Sequence, residues 1–132
     1  MSSARALPPA KPGVAKPDNA AIVGKAALRA ASQLKLTNKV FANVVGLSEA
    51  TVSRLRAGEY QLQPKQKPFE LALLLVRLYR SLDAIVGGDD AVAASWLTNR
   101  NTLLGEPPLH LIQTVPGLMN VIQYLDARRA VL

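Results

Sequence analysis

The stretch "VGLSEATVSRLRAGEY", Val45 to Tyr60, sets a glycine and a hydroxyl residue ahead of just two spaced apolar residues, Val52 and Leu55, among hydroxyls and arginines. A helix that fills a core carries a broader apolar stripe. This segment is therefore seated by few side chains and shows the others outward. Gly46 suits the left-handed residue that ends a preceding helix, Ser48 suits an N-cap, and Gly58 suits the next stop. Upstream, Thr37 caps "NKVFANVV", a helix that turns Phe41, Val44 and Val45 inward.

Two short helices crossing closely need a small residue where they touch, a glycine in the turn and apolar anchors on the inner face of the second. With Asn38 taken as first, Ala42 is fifth, Gly46 ninth, Val52 fifteenth and Leu55 eighteenth. That is the spacing of a helix-turn-helix that reads DNA. Ser48, Glu49, Ala50, Thr51, Ser53 and Arg54 then face outward, with Lys39 and Arg56 at the flanks where phosphates run. An arginine paired to guanine contributes about 1–3 kcal/mol of base discrimination. The plainer alternative is a helical hairpin with a solvated charged face.

The charge distribution favours the DNA reading. The chain has 132 residues and a net charge of +7. Residues 1–18 carry +2, residues 19–67 carry +6 and residues 68–132 carry −1. Positive charge thus concentrates around the quoted stretch, as a nucleic-acid footprint does. The leucine-rich C-terminal half suits a protein partner better than a polyanion.

Composition narrows the remaining classes. A chain of this length forms one domain, or two small ones sharing a core. Hydrophobic residues make up 49% and aromatics only 5%, with the alanine and leucine that favour helices. Cysteine is absent, which excludes disulfides, thiolate metal sites and a cysteine nucleophile. The single histidine, His110, has no Ser, Cys or second His at useful spacing. Asp89 and Asp90 read as helix caps. "GGDD" and "LLGEPP" lack the glycine spacing of phosphate-binding loops. The expectation is a protein that is not an enzyme, with no cofactor and no metal. The start, "MSSARALPPAKPGVAKPDN", has prolines where a signal peptide needs an apolar run. "FELALLLVRLY" is too short to span a bilayer and is broken by Arg77 and Arg80. A cytoplasmic protein without membrane contact is expected.

Along the chain, residues 1–18 read as a disordered basic tail and residues 19–67 as a helix-turn-helix DNA-binding domain. Its first helix, from Ala20 to about Gln33, places Ile22, Val23, Ala26, Ala27, Ala30 and Leu34 at helical steps. Residues 68–88 read as a connecting helix, apolar around most of its girth, that joins two subdomains and a second subunit. Residues 89–132 follow with a short helix "AVAASWLT", a loop, a short helix "LHLIQT" and a last helix from Pro116 to about Arg129. Trp96 is expected to fill the core. No strand alternation appears, so the fold class is all-α.

"LSEATVSRLRAGEY" resembles the Xre/Cro-type recognition helix and the turn after it. "AASWLTNRNTLLGEPPLHLIQTVPGLMNVIQYLDA" resembles the toxin-binding domain of the Xre/MbcA/ParS antitoxin family. The resemblance rests on Trp96-Leu97, Asn101, the leucine–glycine–proline turn over Leu103 to Pro107, Thr114, Gly117, Val121 and Leu125. It implies an antitoxin that binds its own operator, double-stranded DNA, through the N-terminal half and a co-expressed toxin through the C-terminal half. In this family the toxin is most often a RES-domain protein that consumes NAD, and the antitoxin occludes its active site without a cofactor. Members are typically homodimers, in agreement with the over-apolar connecting helix.

The last helix fits this reading. Leu118, Val121, Ile122 and Leu125 form its inward stripe, leaving Met119, Gln123, Asp126, Arg128 and Arg129 for the toxin. With Val131 and Leu132 they form the candidate toxin-binding set, the tail lying over the toxin's NAD pocket. Many relatives end in a glycine-containing segment that this sequence lacks. Arg128 and Arg129 equally suit the C-terminal end of the helix dipole. A stand-alone transcription regulator and a partition-type DNA-binding protein with another partner are the alternatives.

Overall fold

The computed structural model describes residues 19–130. The tail read at 1–18, and with it the disorder expected there, lies outside the described residues, as do Val131 and Leu132. The described residues form helices α1 (Asn19–Gln33), α2 (Asn38–Val45), α3 (Glu49–Arg56), α4 (Lys67–Ile85), α5 (Asp90–Thr98), α6 (Pro108–Leu111) and α7 (Val115–Ala130), with no strand among them. The fold is all-α. Among the described residues no helix is long and apolar enough to cross a membrane.

Everything is arranged around α4. Helices α1, α2, α5 and α7 all pack against it. Ala72, Leu75, Leu78 and Leu82 are buried along its length, within a cluster that takes in residues from both ends of the chain. The apolar girth that pointed to a second subunit is largely consumed inside one chain. Of the large apolar residues on α4, only Leu73 counts as exposed, at 44%.

The buried face of α1 overlaps the expected stripe in part: Ala27, Ala30 and Leu34 are buried as expected. Ile22 is half exposed, and the buried positions are Ala20, Gly24, Ala27, Ala30 and Ala31. Leu55 and Leu62 lie over Gly24, and where other elements supply the bulk, small residues fill the space best. Alanine patterns carry little periodic signal, which is why the stripe read from Ile22 is rotated. The chain leaves α1 through Lys35, at φ 59°. Lys35 N–H bonds Ser32 O at 3.1 Å and Leu36 N–H bonds Ala31 O at 2.8 Å. This is the helix-ending turn in which glycine is usual, here made by lysine.

The next two helices begin and end on their capping residues. Thr37 Oγ1 accepts from Val40 N–H at 3.1 Å, and Gly46, at φ 74°, closes α2. Ser48 Oγ accepts from Thr51 N–H at 3.0 Å to open α3. Past its end, Gly58 N–H bonds Leu55 O at 3.2 Å and Glu59 N–H bonds Arg54 O at 2.8 Å. The loop to α4 is fastened by the buried Leu62, whose Cδ1 lies about 4.0 Å from where a Cβ on Gly24 would sit.

In the C-terminal half, Asp89 caps α5 by accepting from Val92 N–H at 3.2 Å. Asp90 instead ties α5 to α4, accepting from the Tyr79 hydroxyl at 3.0 Å. Burial, then the bond to Asp90 and the nearby Asp83 and Asp90 charges, push the Tyr79 phenol above its ordinary range. Trp96 packs against the core without being fully buried in it. It is half-buried and stacks on Tyr124 with ring centroids 6.1 Å apart. Helix α6 is shorter than expected because Thr114 is needed elsewhere: its Oγ1 accepts from Gly117 N–H at 3.2 Å, opening α7. Leu118, Val121, Ile122 and Leu125 are buried along α7 as expected.

Gly117 is where α6 and α7 cross. A Cβ there would lie 2.0 Å from the Leu111 carbonyl oxygen, and backbone cannot move aside cheaply. Gly117→Ala is expected to lower the unfolding free energy by about 3 kcal/mol or more. Gly24→Ala meets only side-chain ends at ordinary contact distance, Leu55 Cδ1 at 3.6 Å and Leu62 Cδ1 at 4.0 Å. It is expected to be neutral or to stabilise, because alanine favours the helix by about 1 kcal/mol over glycine. Urea unfolding of both variants checks the pair.

Candidate nucleic-acid interface and partner surface

Two buried side chains hold α3: Val52, fully covered, and Leu55. With so little of its girth used, the helix keeps its other faces open. Lys39, Ser48, Glu49, Ala50, Ser53, Arg54 and Arg56 are exposed and Thr51 is half-buried. Seven of these eight candidates lie on α3 or its N-cap, and Lys39 lies in the first turn of α2. Four of them already have internal work. Ser48 Oγ accepts from Thr51 N–H and donates to Thr51 Oγ1 at 2.9 Å. That leaves the Thr51 hydroxyl hydrogen to point elsewhere. Arg56 Nε donates to Asn38 Oδ1 at 2.7 Å, joining the end of α3 to the start of α2. Its terminal nitrogens stay available for a phosphate. The Arg54 guanidinium lies 5.5 Å from the centroid of the Tyr60 ring. Such an exposed cation–π contact is worth about 0.5–1 kcal/mol, and it steadies a long side chain before any partner arrives.

Sequence reasoning missed Asn38 and Tyr60. Neither follows a period, and each matters only because folding returns the chain to α3. The positive charge also extends beyond α3, since Lys25 and Arg29 of α1 and Arg80 of α4 line a groove between those helices.

The candidate partner residues on α7 do not form one patch. Gln123, Arg128 and Arg129 are exposed, whereas Met119 and Asp126 are half-buried. Met119 packs against the core, which corrects the reading of it as an exposed side chain. Asp126 accepts from Arg77 through Oδ2 and from Ser81 Oγ through Oδ1 at 3.0 Å. Arg129 Nη1 donates to the same Ser81 Oγ at 3.4 Å. Ser81 is the buried polar residue of the core, and these bonds fasten the end of α7 to the middle of α4. Arg128 turns to Tyr124, donating to its hydroxyl at 3.4 Å and lying 5.7 Å from its ring centroid. Gln123 is the candidate on α7 whose side chain is most plainly open. No sequence signal could have separated Asp126 from Gln123, because the partners of Asp126 sit some fifty residues away.

His110 is exposed and its Nδ1 lies 3.6 Å from Glu106 Oε1. Among the described residues, no group of three or more His, Cys, Asp or Glu could hold a metal ion.

Comparison with protein families gives two matches. Residues 13–77 match the antitoxin Xre-like helix-turn-helix domain. Residues 81–130 match the antitoxin Xre/MbcA/ParS C-terminal toxin-binding domain. Comparison with curated proteins gives no match.

The α4–α7 fastening has a measurable consequence. Asp126→Ala is expected to speed amide exchange over the last turns of α7 at least about tenfold, since fastened helix ends open less often. Gln123→Ala should leave exchange there unchanged. Hydrogen exchange read by mass spectrometry or NMR distinguishes the two.

Proposed function

Because the chain belongs to the Xre/MbcA/ParS family of antitoxins, we propose that it neutralises a co-expressed toxin with its C-terminal half and represses its own operon through α3. The observation that carries the second part is the seating of α3 by Val52 and Leu55, with hydroxyls and arginines left open. In this reading α3 enters the major groove. Arg54 leaves Tyr60 to pair with a guanine, and the Ser48, Thr51 and Ser53 hydroxyls meet base edges or phosphates. Lys39 and Arg56 hold the flanking phosphates. Two copies bind as a homodimer to half-sites about 34–36 Å apart, one helical turn of DNA.

The toxin is a RES-domain enzyme that consumes NAD, and the antitoxin acts by covering its active site. Binding alone does this, with no cofactor and no catalysis by the antitoxin, in the cytoplasm. The open residue Gln123 contacts the toxin directly, with Val131 and Leu132 and with Arg128 once it leaves Tyr124. Asp126 and Arg129 aim them from α4. Residues 19–67 carry the DNA function and residues 89–132 the toxin function, on either side of the connecting segment 68–88.

Arg54→Ala is expected to weaken operator binding about 5- to 150-fold, the equivalent of a lost guanine pair, and to relax base preference while leaving neutralisation intact. Binding should also fall steeply with salt as counterions are released. Removing residues 130–132 should do the reverse, sparing DNA binding. That cut is preferable to one at residue 126, which would also take Asp126 and Arg129 from their bonds to α4. Co-expression with the product of the adjacent gene, scored by growth and cellular NAD, tests the toxin. Growth arrest with NAD intact overturns the RES assignment. Damage to both activities by both changes overturns the division of labour.

A further inference from the structure

The loop between α5 and α6 places two adjacent leucines oppositely. Leu104 packs against the core, whereas Leu103 is 78% exposed, more than any other large apolar side chain among the described residues. Single exposed leucines are common on protein surfaces. What sets this one apart is the support beneath it. Asn101 Oδ1 accepts from both Leu103 N–H, at 2.9 Å, and Leu104 N–H, at 3.0 Å. The Asn101 backbone carbonyl accepts from Gly105 N–H at 2.8 Å. Gly105, at φ 90°, turns the chain where other residues would be strained. Pro107 and the buried Pro108 then lead directly into α6.

The backbone that carries Leu103 is thus tied down, while its side chain touches solvent. Burying it in a partner costs little further ordering of the loop, the condition under which one apolar residue contributes most to binding. Its neighbours in the sequence Arg100, Thr102 and Glu106 are exposed and polar, the residue types found at the rim of an interface. The segment lies within residues 81–130, the stretch matched to a toxin-binding domain.

We infer that Leu103 is the apolar anchor of the toxin contact, inserting into a nonpolar pocket on the toxin, with Asn101 as the positioning residue that presents it. The inference rests on the antitoxin reading above and adds to it a second contact, on a different element from α7. A second copy of this chain is the competing occupant.

The test uses the full-length chain and the purified product of the adjacent gene, with calorimetry for affinity. Leu103→Asp is expected to weaken binding at least about thirtyfold, the loss typical of a buried anchor. Leu103→Met should restore most of it, since methionine fills the same kind of pocket. Melting temperature, operator binding and molar mass by light scattering should stay at wild-type values, because the side chain supports nothing within the chain. Asn101→Ala, with Leu103 kept, should weaken toxin binding by a smaller factor. If wild type binds and Leu103→Asp binds equally well, the anchor is overturned and the antitoxin reading stands. A variant that changes molar mass but not toxin affinity assigns the residue to self-association and also overturns it. If wild type does not bind the neighbouring product at all, both readings fall together.

Discussion

The burial of α4 is the constraint on which the structure depends. Helices from both halves of the chain, α1 and α2 on one side of the sequence and α5 and α7 on the other, cover the same rod. Leu75, Leu78 and Leu82 therefore belong to one continuous core. A chain this short has little surface to bury, so two independent cores would each be marginal. Sharing one helix resolves that difficulty. It also means that the segment read as a connector between domains is the centre of the fold.

Concentrating burial on α4 frees the helices at the periphery. α3 is held by two side chains and its caps, and the loop before α6 by one asparagine and a glycine turn. Elements seated so lightly can devote nearly all their surface to partners. Their rigidity comes from a few apolar anchors, Val52, Leu55 and Leu104, together with hydrogen bonds at the ends of elements, so they depend on a few specific residues. Ser48, Asn101 and Thr114 each satisfy backbone N–H groups that would otherwise lack partners.

What was legible in the sequence follows the range of the interactions concerned. α2 and α3 could be read closely because Thr37, Gly46, Ser48 and Gly58 act within a turn of themselves. The inward stripe of α7 was legible because Leu118, Val121, Ile122 and Leu125 are large apolar residues at helical steps along one element. The face of α1 was legible in part: Ala27 and Ala30 are buried as read, whereas Ile22 is exposed and Gly24 lies inward under Leu55 and Leu62, which come from later in the chain. The left-handed Lys35 offered no signal, because lysine is not the residue that conformation favours. Helix α6 was overread at its end because Thr114, sequentially its neighbour, serves α7. Trp96 was placed too deep because a ring that finds Tyr124 at the surface need not enter the core.

The candidate sites were less legible than the fold, and the reason is physical. Sequence marks a residue as charged and outward but cannot tell whether folding has already used it. Asp126 and Gln123 are both polar residues on α7, yet Asp126 is bonded to α4 and Gln123 is open. Arg128 and Arg129 are adjacent, yet one turns to Tyr124 and the other to Ser81. A group already held by the fold must give up its bonds to meet a partner, so it gains less from a new contact than an open one. Partner contact should therefore favour side chains that folding leaves idle. By that criterion Leu103, which sequence offered only as part of a turn, is better placed to touch a partner than the charged Asp126, whose oxygens are already bonded to Arg77 and Ser81.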